Sequence, residues 1–156
     1  MYKKIMVPLD GSALAECVLD HVATIGKGCG AETICLVRVE EPMDPPAGAK
    51  IRVSEKELKQ MEADKLSAAK DYLDQLAARL NYDWASVEVD VITGRTADKL
   101  ADYARGQAID LIIIATHGRS GISRWVWGST ADRILRSSCT PVLMVRGPGC
   151  FPDIER

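Results

Sequence analysis

The chain has 156 residues and a net charge of −2, with 20 basic and 22 acidic side chains. That length supports a single domain with its own core, without staples or metals. The near-neutral balance excludes a global field for nucleic acid or an anionic membrane surface, so any anion site must be built locally. No apolar run approaches the roughly 20 residues needed to cross a bilayer. The chain opens directly into "YKKIMVPLD", and its five cysteines (Cys17, Cys29, Cys35, Cys139, Cys150) form no CxxC pair. These features predict reduced thiols in a cytoplasmic protein, with Cys17 and Cys35 serving as small core hydrophobes.

"KKIMVPL", ended by Pro8, reads as a buried strand. After "DGS" the pattern turns helical: Ala15, Val18, Leu19, Val22 and Ala23 share one face, Ser12 is the expected N-cap, and Gly26, Gly28 and Gly30 are expected to stop the helix. "ETICLVRVE" is a second strand. The proline-rich "EPMDPPAGAKIRV" is too irregular for either period, and such loops in compact domains are usually functional covers or adjustable segments. Ser54 with Glu57 forms a capping box for a long helix that carries Leu58, Met61, Ala69, Leu73, Leu76 and Leu80 at helical spacing.

"SVEVDVITG" alternates like a strand, and Thr96 to Arg105 is a short helix with Leu100, Ala101 and Ala104 inward. "DLIIIAT" is continuously apolar, as a strand buried on both faces would be. Ser129 with Asp132 is expected to cap a last helix before the fifth strand, "TPVLMVR". One domain over 1–146 and an irregular tail over 147–156 complete the chain. Strands alternating with helices imply a doubly wound α/β fold, its parallel sheet covered on both faces. Ligands of such sheets sit beyond the carboxyl ends of the strands, where strand order reverses. The segments to examine are therefore "PLDGS", "VEEP", "TGRTA" and "ATHGRSG".

Three familiar chemistries of this architecture fail on their residues. There is no GxxxxGK[ST] for a Walker A loop. The first strand–helix turn, "PLDGSALAE", lacks the GxGxxG of a dinucleotide fold, although Glu40 sits where a ribose-binding acid would be. Thr93 and Gly94 follow the third strand, where a phospho-acceptor domain would place an aspartate.

"ATHGRSGISRWVWGST", Ala115 to Thr130, offers more. Gly118 and Gly121 remove side chains where backbone amides could approach an anion. Gly128 precedes Ser129 and Thr130 at a helix start, where free N–H groups favour negative charge, and Arg119 and Arg124 can add charge-assisted contacts. The plainer reading is a turn with a capping serine. Asp10 stands between the same alternatives: a turn residue, or a carboxylate that hydrogen bonds a ribose hydroxyl or an adenine edge. His117 has no identifiable nucleophile or orienting acid, which argues against a general base. Trp125 and Trp127, two apart, cannot share a helix face, so packing is expected of at least one.

Together these segments resemble the universal stress protein family, through "KKIMVPLDGS", "GRTADKLADYARGQAIDLIIIATHGRSG" and "GSTADRILRSSCTPVLMVR". The family's ATP-binding branch has Gly, two residues, Gly, nine residues, then Gly with Ser or Thr. Gly118, Gly128 and Ser129 match it, and Ala115 stands where the first glycine would be. The resemblance implies a five-stranded sheet of order 3-2-1-4-5 with helices on both faces. By the same resemblance, Pro8, Leu9, Asp10 and Val39 enclose adenine and ribose. Ile114, Ala115, His117, Gly118, Gly128, Ser129 and Thr130 line the ribose and phosphates, with Arg119 beside them. The implied ligand is ATP, with ADP or AMP as alternatives and Mg2+ carried on the nucleotide. The implied role is a regulatory module acting on a protein partner, dimerising through the edge Val142 to Val145. The alternatives are a slow ATPase and a dimeric partner-binding domain with an empty crevice.

Overall fold

The computed structural model describes residues 1–42, 54–116 and 129–147. Its elements are β1 (Lys4–Pro8), α1 (Ala13–Glu16), α2 (Leu19–Cys29), β2 (Thr33–Glu40), α3 (Glu55–Leu80), β3 (Ser86–Thr93), α4 (Thr96–Gly106), β4 (Leu111–Thr116), α5 (Ser129–Ser137) and β5 (Val142–Arg146). The proline-rich connection over 43–53, most of the glycine-bearing stretch (117–128) and the tail over 148–156 lie outside the described residues.

The strands form one sheet of order β3-β2-β1-β4-β5, and every neighbouring pair is parallel. This is the strand order that the family resemblance implies. Alternation along the strands sorts the core onto two faces. Ile5, Val7, Ile34, Leu36 and Ile113 pack with Val22, Leu73 and Leu76 of α2 and α3. Met6, Cys35, Val37, Ile112 and Ile114 pack with Leu100, Ala104 and Ile134 of α4 and α5. Each such fully buried aliphatic side chain is worth roughly 1.5–3 kcal/mol against leaving it in water. Cys35 is among them, and burial pushes its thiol up to about 12, which keeps it protonated and unreactive. Cys17 is only half-buried.

The central strands are joined unequally. β1 pairs with β2 along its whole length, from Lys4↔Thr33 to Pro8↔Val37. Its register with β4 covers only Ile5↔Leu111 and Met6↔Ile112. At their starts the two are pinned: Asp110 Oδ2 accepts from the amides of Lys3 (2.8 Å) and Lys4 (2.9 Å), and the Asp110 amide donates to the Lys4 carbonyl at 2.9 Å. Beyond Met6, β4 continues alongside β5 as far as Thr116↔Arg146, while β1 stays with β2. The sheet therefore opens at its carboxyl end between Pro8 and Ile114. Gly147, the first residue of the expected tail, is buried and donates its amide to the Thr116 carbonyl at 3.2 Å.

Two expectations need correction. The first helix is two segments, joined by a tightened turn in which the Cys17 amide bonds Leu14 O at 3.2 Å. Gly26 and Gly28 do not stop it. The helix runs to Cys29 and ends at Gly30, left-handed at φ 65°, whose amide reaches back to the preceding turn. Gly26 is buried inside α2 because the Trp84 ring lies on its backbone, with a ring carbon 2.4 Å from where a Cβ would sit. The second correction concerns Met61, assigned to the core face of α3 but 50% exposed. A helix of 26 residues spans about 39 Å, whereas the eight-residue β3 beside it spans about 26 Å. Burial starts at Ala69 and continues through Leu73 and Leu76. The capping box of α3 is present, with Glu57 N–H on Ser54 Oγ (3.2 Å) and Ser54 N–H on Glu57 Oε2 (2.8 Å). Ser12 likewise caps α1, accepting from the Ala15 amide at 3.1 Å.

The two helical glycines should respond in opposite directions. Gly28 has open space around its Cβ position, so Gly28→Ala is expected to stabilise the protein by about 0.5–1 kcal/mol through helix propensity. Gly26→Ala gains the same propensity but drives a methyl into Trp84, and overpacking of about 1–3 kcal/mol should leave it destabilised. Urea unfolding of the two variants checks the sign of each.

Candidate functional site

The opening between β1 and β4 is a cleft of about 350 Å³, within the range of small-ligand sites. One wall is the end of β1 and the turn beyond it: Pro8, Leu9 and Asp10, with Ala15 behind. Val37 and Val39 of β2, Leu100 and Thr96 of α4, Ile114 and Ala115 of β4 and Thr130 and Ala131 of α5 complete the lining. Seven residues singled out from the sequence (Pro8, Leu9, Asp10, Val39, Ile114, Ala115 and Thr130) thus meet around one cavity. His117, Gly118, Arg119 and Gly128 lie outside the described residues, as do Arg124, Trp125, Trp127 and the side chain of Ser129. α5 starts at Ser129, and Asp132 is engaged by Arg136 Nε at 3.0 Å, one turn further along.

Ala15, Val37, Thr96, Leu100 and Ala131 also line the cleft but were not singled out. The apolar members look like ordinary core residues in a linear reading. Thr96 had a signal, since "TGRTA" follows a strand at the ligand end of the sheet.

Local contacts shape the Asp10 turn. Asp10 Oδ1 accepts from the Ser12 amide at 2.9 Å. Gly11 at φ +87° completes the turn, with Arg38 Nη1 only 2.8 Å from its absent Cβ. Partial burial raises the Asp10 carboxyl, but the Ser12 hydrogen bonds and the Arg38 charge outweigh it and hold the group below the ordinary aspartate value. Asp10 is therefore an ionised, pre-positioned acceptor at the cleft mouth.

Arg38 also organises the end of β2. Its Nε bonds Glu40 Oε1 at 2.6 Å, Lys65 Nζ holds Glu40 Oε2 at 3.0 Å, and its guanidinium lies 5.6 Å from the centre of the Tyr72 ring. Tyr72 in turn donates to Glu16 Oε1 at 3.0 Å. Glu40, which occupies the sequence position of a ribose-binding acid, is buried on the opposite sheet face from Val39 with both oxygens paired, so it does not serve the cleft.

At the cleft's other corner, Glu41 Oε1 accepts from the Thr96 amide (3.1 Å) and the Thr96 hydroxyl (2.8 Å), capping α4. Lys65 Nζ fixes the Glu41 carbonyl at 2.9 Å, and the Gly94 amide bonds the Glu40 carbonyl at 3.1 Å. Among the described residues no group of three or more His, Cys, Asp or Glu side chains is arranged to hold a metal ion. Among them, too, no helix is long and apolar enough to cross a membrane.

The profile of the universal stress protein family matches residues 1–146, and the chain belongs to that family. Universal stress protein MJ0531 of Methanocaldococcus jannaschii is 27% identical over 150 residues, 95% of this chain and 84% of the relative. Universal stress protein MJ0577 of the same organism is 26% identical over 156 residues, covering 94% of this chain and 96% of the relative. The solved structure of MJ0577 superimposes with a TM-score of 0.75 over 94% of this chain and 96% of that one. A universal stress protein solved in complex with cAMP shares the fold at TM-score 0.66 and 21% identity, over 93% of this chain and 97% of that one.

Removing the charge that neutralises Glu40 should be costly, because its carboxylate is 8% exposed. Arg38→Met is expected to destabilise the protein by about 2 kcal/mol, less than a fully buried broken pair because Lys65 remains. Thermal and urea unfolding measure the loss.

Proposed function

We propose that the cleft binds an adenine nucleotide, with ATP as the principal ligand and ADP or AMP as alternatives, and that occupancy regulates the surface shown to a protein partner. One observation carries the reading: Pro8, Leu9, Asp10, Val39, Ile114, Ala115 and Thr130 converge on a single cavity where the strand order reverses. The apolar slot of Pro8, Val37, Val39 and Leu100 suits a flat base. The Asp10 carboxylate suits a ribose hydroxyl. The start of α5, preceded in sequence by Gly118 and Gly128, suits phosphates through free amides and the helix dipole. A bound cAMP in a relative of the same fold supports the choice of base. Mg2+ would enter on the phosphates, since among the described lining residues Asp10 is the one carboxylate.

Native mass spectrometry of the purified protein should reveal an adenine nucleotide, and calorimetry should detect ATP binding. Asp10→Ala should weaken it about tenfold or more, the worth of a hydrogen bond to a charged acceptor. Failure of the wild-type protein to bind ATP, ADP, AMP and cAMP alike would remove the reading.

The same proposal includes a homodimer through β5. β5 is an edge strand, its Val142, Leu143 and Met144 are half-buried, and Leu135 of α5 is 48% exposed. An apolar edge of this kind calls for cover, and antiparallel pairing about a two-fold axis provides it. Sedimentation at micromolar concentration is expected to give the dimer mass, and a monomer throughout would contradict it.

A further inference from the structure

We propose that Thr96, with its hydroxyl proton committed to Glu41, is the residue that makes the cleft select 6-amino over 6-oxo purines; this rests on the nucleotide reading above. A threonine hydroxyl has one proton and two lone pairs. Here the proton is directed to Glu41 Oε1 at 2.8 Å, and the Thr96 amide donates to the same oxygen. Those two hydrogen bonds, amide first, and then the nearby Arg95 and Lys65 charges hold the Glu41 carboxyl below the ordinary glutamate value, against slight desolvation. An ionised carboxylate only accepts, so the direction of the Thr96–Glu41 bond cannot reverse. Any polar contact that the Thr96 oxygen makes with a cleft occupant is therefore as an acceptor.

Thr96 lines the cleft together with Val39 and Leu100, whose apolar side chains suit a base. Its position is fixed from several sides. Lys65 holds the Glu41 carbonyl and the Glu40 carboxylate, Arg38 holds the other oxygen of Glu40, and the Gly94 amide ties the β3–α4 turn to the end of β2. An acceptor held this firmly need not be ordered when a ligand arrives. A 6-amino purine presents an N–H donor on its outer edge and satisfies it. A 6-oxo purine presents a carbonyl oxygen there, so two acceptors face each other with no proton between them. Thr96 is half-buried, and an acceptor that faces another acceptor across a ligand contact discriminates beyond shape alone.

The test is calorimetric titration of ATP and inosine triphosphate, which carries a carbonyl where ATP carries its 6-amino group. The titrations use the wild-type protein and Thr96→Val, Thr96→Ser and Glu41→Ala, with circular dichroism confirming that each variant is folded. The wild-type protein is expected to prefer ATP by about tenfold or more. Thr96→Val, nearly isosteric, should lose most of that preference through weaker ATP binding, while Thr96→Ser keeps it. Glu41→Ala frees the hydroxyl to donate, so inosine triphosphate should bind more tightly and the ratio should narrow. A protein that binds ATP with the same ratio in wild type, Thr96→Val and Glu41→Ala overturns the inference but leaves the cleft a nucleotide site. A wild-type protein that binds neither triphosphate overturns the cleft reading and this inference together.

Discussion

The separation of β1 from β4 is the constraint on which the rest of the molecule turns. The two strands are held at their starts by Asp110 and by two register pairs, and are then drawn apart by stronger partners on either side. A parallel sheet whose order reverses at its centre must have such a seam, because the connections from its two middle strands leave toward opposite faces. α1 departs on the face of α2 and α3, and α5 packs on the face of α4, so the connections from β1 and β4 lie on opposite faces of the sheet. The sequence around the seam fits it. Pro8 has no amide to offer across the gap, Leu9 turns back to β2 through its amide on the Val37 carbonyl at 2.9 Å, and Asp10 is left at the mouth.

The charged side chains of the rim act on this opening rather than on the core. Arg38, Glu40 and Lys65 fix the end of β2 from the α3 side, and Glu41 fixes the start of α4 from the next residue along. Two adjacent glutamates therefore have different tasks, set by the alternation of the strand. Glu40 points to the buried α3 face and pairs with two cations. Glu41, beyond the strand end, reaches sideways to α4. The result is a base-sized slot whose polar corner, Thr96, and whose mouth, Asp10, are each oriented by a neighbour before any ligand arrives.

Much of this was legible in the residues. The strands were readable because the inner ones are continuous apolar runs, while β3 at the edge alternates. The order of elements pointed to "PLDGS" and "ATHGRSG" as segments to examine, and the resemblance to the universal stress protein family set them side by side and implied Pro8, Asp10, Ile114 and Ala115 as lining. What the sequence concealed was tertiary. Gly26 looks like a helix stop but is a point of close approach for Trp84, a residue 58 positions away. Met61 keeps the helical period of the core positions, yet period does not reveal where the sheet beneath a long helix ends. Glu40 has the sequence position of a ribose ligand, but its partners, Arg38 and Lys65, come from two different elements. Thr96 gives no local sign that its proton is taken, since Glu41 lies 55 residues earlier.

The central question is where a nucleotide touches the chain. Amide shift mapping of the isotope-labelled protein during titration with ATP addresses that directly. The largest changes are expected at Leu9, Asp10, Val39, Thr96, Ala115 and Thr130, the residues around the seam, with β3 and the outer face of α3 unmoved. Changes concentrated on those outer elements, or no change at saturating ATP, would contradict it.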